Sequence, residues 1–147
     1  MSHKPTVRAL AIGDYDRWMA LWQAAGLHSV RPLGRDGREA FSRQLKGGTH
    51  TMIGLEVDGR LVGVVLATHD GRKGWINRLA VLPAHRRSGY AVRLVAEAES
   101  VLRAEGISVI AALIEPQNEA SLELFRKLGY EDASGLHYVR KKDSPED

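Results

Sequence analysis

The stretch Leu79-Ala-Val-Leu-Pro-Ala-His-Arg-Arg-Ser-Gly-Tyr-Ala91 decides how this chain is read. It starts as an apolar strand that runs to Leu82, and Pro83 stops the ladder because proline has no N–H to donate. A short loop with Arg86, Arg87, Ser88 and Gly89 follows. A long helix then spans residues 88–105, with Val92, Leu94, Val95, Ala98, Val101 and Leu102 forming its apolar stripe and Gly106 at its C′ position. The start of a helix presents unpaired N–H groups and partial positive charge. Gly89 lets backbone approach a ligand closely, Ala91 leaves the first turn uncrowded, and the two arginines add full charge. These features suit a phosphate or pyrophosphate. A tight turn carrying two solvated arginines accounts for the same residues equally well. A P-loop is excluded, since no Gly-Lys-Ser/Thr closes the motif, and the dinucleotide fingerprint lacks its other glycines.

Upstream, residues 6–12 read as a strand and Asp14 as a helix N-cap. Trp18, Leu21, Trp22 and Ala25 recur at helical spacing over residues 15–25, and Gly26 ends that helix. A loop with Pro32, Gly34 and Gly37 leads to a short helix over residues 38–46, with Ala40, Phe41 and Leu45 inward. Strands follow at 49–57, 61–68 and 74–82, joined by Asp58-Gly59 and Asp70-Gly71, so these form an antiparallel meander. Downstream, residues 107–114 are nearly all apolar, as in a strand buried on both faces. A helix begins at Asn118 or Glu119, carries Leu122, Phe125 and Leu128, and ends at Gly129. Residues 130–142 read as a final hairpin. Residues 1–4 and 143–147 read as flexible ends. The unit from Gly74 to Ile114 needs a crossover, so its two strands are parallel. The expected fold is α/β (α+β): one domain over residues 1–147, with a mixed central sheet of about seven strands and helices on both faces.

The length of 147 residues suits one core. Apolar residues at 44% and charged residues at 27% place the chain among ordinary globular domains. The absence of cysteine excludes a disulfide framework, a thiolate metal site and a cysteine nucleophile. No apolar run is long enough to span a membrane, and the first residues lack the apolar core of a signal peptide, so a cytoplasmic protein is expected. A net charge of +3 permits an anionic ligand without implying nucleic acid. The six histidines, His3, His28, His50, His69, His85 and His137, show no ligand spacing, and no metal is expected.

Arg86-Arg-Ser-Gly89-Tyr-Ala91 resembles the Arg/Gln-x-x-Gly-x-Gly/Ala signature of the GNAT acetyltransferases. Asn118-Glu-Ala-Ser-Leu-Glu-Leu-Phe125-Arg-Lys-Leu-Gly129-Tyr130 resembles that family's Asn-x-x-Ala-x-x-Leu-Tyr-x-x-x-Gly-Phe segment, and the order and spacing of the two blocks also fit. The region of Pro32, Asp70-Gly71 and the C-terminal hairpin are most similar to the small bacterial RimI/YpeA-type branch. The resemblance implies acetyl-CoA as acyl donor, with Arg87, Ser88, Gly89, Tyr90 and Ala91 holding its pyrophosphate and Arg86 nearby. It implies a pantetheine arm lying along Leu79, Ala80 and Val81, with the Val81 N–H on the thioester oxygen. Asn118 and Phe125 would line the cofactor. Two strands would splay apart to let an amine meet the thioester. The expected reaction is direct attack of a primary amine in a ternary complex, the acceptor being a small molecule or a protein N-terminus.

The chain departs from the family at two positions. Phe125 replaces the tyrosine that commonly protonates the departing thiolate, and Leu113 replaces the glutamate that RimI-type enzymes use as base. Glu115, two residues on and so on the same strand face, is the substitute base, or else a solvated strand end. Asn77, polar in an apolar strand, is a candidate for binding substrate or ordering a water. Tyr138 and Tyr90 are candidate acids, and His69 and Asp70 lie at a turn whose chemistry explains them equally. Arg31, Arg35, Arg38 and Arg43 outnumber Asp36 and Glu39 over residues 28–43, which suits an acceptor with a carboxylate or phosphate, or a solvated loop. Two other readings compete: a non-catalytic acyl-CoA-binding regulatory domain, and a nucleic-acid-binding domain. With three Trp, four Tyr and two Phe, several of them core, the latter ranks last. A monomer or homodimer is expected, with no membrane partner.

Overall fold

The structure, a computed structural model, describes residues 4–27 and 29–147. Its strands β1 (Thr6–Ala9), β2 (His50–Val57), β3 (Arg60–His69), β4 (Gly74–Val81) and β5 (Ile110–Ala111) form one sheet in sequence order. The first three pairings are antiparallel and β4–β5 is parallel. Helices α1 (Tyr15–Ala25) and α2 (Arg38–Lys46) pack on one face, and α3 (Tyr90–Ala104) on the other; α4 (Glu119–Lys127) follows β5. The α/β class, the mixed sheet and the helices on both faces are as the sequence leads one to expect.

The core follows the sequence stripes. Trp18, Trp22 and Phe41 are buried, and Trp18 meets Phe41 edge-on at 5.4 Å, an arrangement worth about 0.5–1.5 kcal/mol beyond burial. On the opposite face α3 approaches the sheet so closely that glycine is needed beneath it. A Cβ on Gly63 would lie 2.9 Å from Leu94, and one on Gly74 would lie 2.9 Å from Leu102.

Several expectations are corrected. The sheet has five strands, where about seven were expected. The hairpin expected over residues 130–142 does not form: the segment is turn and irregular backbone with no strand, and Leu136, Tyr138 and Val139 are exposed. These few apolar side chains stand between acidic and basic runs and bring too little apolar surface to anchor a strand pair. The strand expected over residues 107–114 shrinks to Ile110–Ala111. Val109 is 50% and Leu113 60% exposed, so this segment is not covered on both faces, and among the described residues no strand lies on its outer edge. Helix α3 begins at Tyr90, since the left-handed Gly89 cannot belong to it. Asp14 stands at the N-cap of α1 without capping it. Its carboxylate instead accepts from Ala11 N and from the guanidinium groups of Arg8 and Arg17. The flexible start expected at residues 1–3 lies outside the described residues.

Candidate active site

The candidate site is a gap between β4 and β5. Their ladder consists of Gly74↔Ile110 and Trp75↔Ala111, and beyond it the two chains separate. The rest of β4, from Ile76 to Val81, is therefore bonded to β3 on one side and open on the other.

A bulge sets which groups face that opening. Leu66 pairs with Asn77 and Val64 with Ala80, so Arg78 and Leu79 stand opposite the single Val65. Before the bulge, Gly74 N donates to Val109 O at 2.8 Å, so alternate amides from Gly74 onward turn toward β5. After it, Leu82 N donates to Val62 O at 2.9 Å, so Leu82 turns toward β3. Amides alternate along a strand, so the N–H of Val81 faces the gap. Without the extra residue it would face β3.

Arg78 supplies the bulge's unusual geometry. Its φ is +55, a left-handed value that costs a residue with a Cβ roughly 1–2 kcal/mol. Its guanidinium donates to Asp36 Oδ2 at 2.8 Å and to the Ser29 hydroxyl, and it lies 5.8 Å from the Trp22 ring centre. The Trp22 indole N–H donates to the Arg78 carbonyl at 3.4 Å. Both charged side chains are nearly buried, at 11% and 4% exposure. Burial pulls the Arg78 guanidinium below its usual range, against the opposing pull of Asp36. Sequence reasoning passed over Arg78 and the burial of Asp36. The one available signal was the pair of polar residues, Asn77-Arg78, inside an apolar strand.

Past Val81 the chain makes a 3-10 turn over Pro83–His85 and reaches α3 through an exposed loop. Arg87 at φ +65 and Gly89 at φ +77 give this loop left-handed turns, the kind of backbone that lets successive amides share one concave side. No side chain caps α3, so its first N–H groups are left for another partner. A Cβ on Gly89 would meet nothing within 4 Å, which leaves the approach open. Ser88 is exposed, Ala91 half-buried, and Tyr90 stacks on His85 at 6.3 Å. Arg86 turns back, donating through Nε to Val81 O at 3.2 Å and through Nη2 to Ala25 O. It braces the turn, while Arg87 carries the outward charge. Open amides, a glycine and an arginine at one helix start fit a pyrophosphate.

The other expected residues are dispersed. Asn118 caps α4, accepting from Ser121 N at 3.3 Å. Phe125 is buried edge-on against Tyr130 at 4.9 Å. Tyr130 donates its hydroxyl to Glu99 of α3 at 2.5 Å; burial and that carboxylate push its ionisation well above the usual range. Asn77 donates to Thr68 Oγ1 at 3.1 Å, on the face opposite α3. Glu115 is exposed and accepts from Gln117, and Tyr138 is exposed on the segment after α4. Asn77, Glu115 and Tyr138 thus stand on three separate segments, with no hydrogen bond among them within the described residues. Asp70 serves its own turn, accepting from Arg72 N and Lys73 N, and these amides hold its carboxyl below the ordinary value. It and His69 lie at the far end of β4 from Val81, roughly 20 Å away at strand rise.

A surface concavity of about 390 Å³, lined by Arg17, Asp58, Gly59, Arg60 and Leu61, lies at the β2–β3 turn and away from the gap. Among the described residues no group of three metal-binding side chains occurs, and no helix is long and apolar enough to cross a membrane.

Comparison with known proteins identifies the family and the fold. The model of the Acetyltransferase (GNAT) family matches residues 15–130. An acetyltransferase of Photorhabdus laumondii is 30% identical over 126 residues, covering 86% of each chain. The structure of AAC(6')-Iy with the bisubstrate analogue CoA-S-monomethyl-acetylneamine superposes with a TM-score of 0.78 at 20% identity, over 95% of this chain and 99% of that one. A ribosomal-protein-alanine N-acetyltransferase from Brucella melitensis gives a TM-score of 0.73 at 17% identity, over 94% and 100%.

Proposed function

The chain belongs to the GNAT acetyltransferase family, with acetyl-CoA as acyl donor, and from that premise we propose that it acetylates a primary amine by direct attack in a ternary complex. The amides of Arg87, Ser88, Gly89, Tyr90 and Ala91 hold the pyrophosphate at the start of α3. Leu79, Ala80 and Val81 receive the pantetheine along the open edge of β4, with Arg86 bracing the turn and Asn118 and Phe125 on the α4 side. The single observation that carries this reading is the Val81 N–H turned into the gap by the bulge, where it can donate to the thioester oxygen as charge develops there.

In the reaction the amine nitrogen bonds to the thioester carbon, the C–S bond breaks, and the nitrogen loses one proton. The amine must be neutral to attack, and an ordinary ammonium has a pKa of about 10.4. Glu115 takes that proton, through a water, at the mouth of the gap. Asn77 positions the acceptor from β4. The thiolate is a tolerable leaving group because a thiol's pKa is only about 8.5, so the reaction proceeds with Phe125 in place of a tyrosine acid. Tyr138 is the hydroxyl that this reading assigns to protonate it. Most of the acceleration is positioning and oxyanion stabilisation, since no nucleophile for a covalent intermediate is used. The two structural neighbours are named for different acceptors, an aminoglycoside and a ribosomal-protein alanine, so neither acceptor transfers by likeness.

Calorimetric titration with acetyl-CoA tests the reading, repeated on Arg87→Ala and Gly89→Trp. The expected result is one saturable site per chain, weakened in both variants, with amine-dependent release of CoA thiol. No binding at millimolar acetyl-CoA overturns it.

A further inference from the structure

The loop over residues 29–36 is held rigidly beside the bulge. Asp36 Oδ2 accepts from Arg31 N at 2.7 Å and from Arg78 at 2.8 Å, and the Asp36 carbonyl accepts from the Tyr15 hydroxyl at 2.7 Å. Gln44 of α2 donates to the Arg35 carbonyl at 2.9 Å. The loop therefore stands against β4 only three residues from Val81. Three arginines, Arg31, Arg35 and Arg78, share this wall with one carboxylate, Asp36. They are close enough that Arg35 and Arg31 both oppose the ionisation of Arg78. Arg38 is drawn away to Asp16 at 2.8 Å. With Arg78 paired to Asp36, the exposed Arg35 leaves the wall net positive.

A second observation comes from the opposite end of the sequence. The backbone of Glu146 and Asp147 lies on this loop: a Cβ on Gly34 would be 2.6 Å from Glu146 O and 3.1 Å from Asp147 Cα. That segment folds on itself through Glu146 N to Ser144 Oγ at 3.0 Å and Asp147 N to Ser144 O at 3.1 Å. Its side chains include Asp143, Glu146 and Asp147. The backbone of an acidic stretch thus rests on this basic loop.

We propose that the 29–36 loop is the anion-recognising wall of the acceptor cleft, that the acetylated amine carries a carboxylate received at Arg35 with Arg31 alongside, and that the acidic segment 143–147 covers this wall until the acceptor displaces it. The proposal rests on the acetyltransferase reading above and names its substrate class. A carboxylate of the acceptor gains a charge-assisted contact on this wall, and its amine then points along β4 toward Val81.

The test is acetyl transfer to primary-amine amino acids and to their carboxamides, read as thiol release. The quantity followed is the acid-to-amide ratio of kcat/KM, compared between variants so that differences in amine basicity cancel. Arg35→Gln is expected to lower the ratio about tenfold, the size of one lost hydrogen bond to a charged group. Gly34→Ala adds a methyl where the Glu146 backbone lies and changes no charge; it is expected to raise the ratio, as is a chain ending at Lys142. A ratio that none of the three changes overturns the proposal. So does transfer confined to amines without a carboxylate, or no transfer to any amino acid by a chain that still binds acetyl-CoA. Failure to bind acetyl-CoA overturns the acetyltransferase reading itself, which separates the two failures.

Discussion

Replacing Arg78 by alanine and by glycine separates two forces that the bulge combines. Both changes remove the guanidinium and leave the Asp36 carboxylate, 4% exposed, with the Arg31 amide as its remaining donor. Removing one partner of a buried ion pair costs about 3–5 kcal/mol. The two variants differ in backbone. Alanine keeps the left-handed penalty at φ +55, roughly 1–2 kcal/mol, and glycine removes it. Against this, glycine's freedom in the unfolded chain costs about 0.5–1 kcal/mol. Arg78→Ala is therefore expected to lose about 3–5 kcal/mol, and Arg78→Gly about 1 kcal/mol less. Urea unfolding followed by tryptophan fluorescence reads both, since Trp22 packs beneath the guanidinium. Two results would refute the reasoning. A loss below about 1 kcal/mol in both variants would mean that the pair behaves as a surface bridge. A glycine variant no more stable than the alanine variant would mean that the backbone at Arg78 is not strained.

Three further outcomes are expected. Gly89→Ala meets no steric contact and should cost only the left-handed penalty, about 1–2 kcal/mol in stability, while weakening acetyl-CoA at least about tenfold because the methyl enters the open cradle; unchanged affinity by calorimetry would remove Gly89 from the site. Asp14 is held at about 2 against an ordinary 3.8, chiefly by its hydrogen bond from Arg8. A depressed carboxylate stabilises the fold above its unfolded pKa and loses that contribution as pH falls through the folded value. Wild-type urea midpoints should therefore drop between about pH 4 and pH 2, and Asp14→Asn should show a shallower drop; parallel curves would refute the assignment. Glu115→Gln should lower kcat about 10²-fold, and a kcat within about threefold of wild type in thiol-release kinetics would exclude Glu115 as the base.

What the sequence disclosed is what short-range physics fixes. Asp58-Gly59 and Asp70-Gly71 set the meander because their turn types depend on adjacent residues, and both turns form as expected. Trp18, Leu21 and Trp22 announce one buried face of α1 by spacing alone. Pro83 and Gly89 mark the strand end and the helix start, and so place the proposed anion cradle. What stayed hidden depends on neighbours distant in sequence. The apolar run over residues 107–114 carries the pattern of a doubly covered strand, but pattern does not reveal whether a strand lies on its outer edge, and Leu113 is exposed. The hairpin over residues 130–142 alternates suitably, yet nothing local measures whether it brings enough apolar surface to pair. Asp36 lies 42 positions from Arg78 and 21 from Tyr15, and both of these distant residues hold it in its buried place.

The bulge is where these levels meet. Period-2 reasoning over β4 assigns every odd residue to one direction, and so turns the Val81 amide toward β3, away from the chemistry. One inserted position reverses that assignment for every residue after it. The insertion is held by groups outside the strand: Ser29 and Asp36 from the loop after α1, and Trp22 from α1 itself. The direction of one amide is thus set by side chains that never face the gap. Those same groups fix the loop that carries Arg31 and Arg35. The proposed oxyanion donor and the proposed acceptor wall are thus tied to the same buried pair, so a change at Asp36 should disturb transfer to every amine, whereas a change at Arg35 should discriminate among amines by charge.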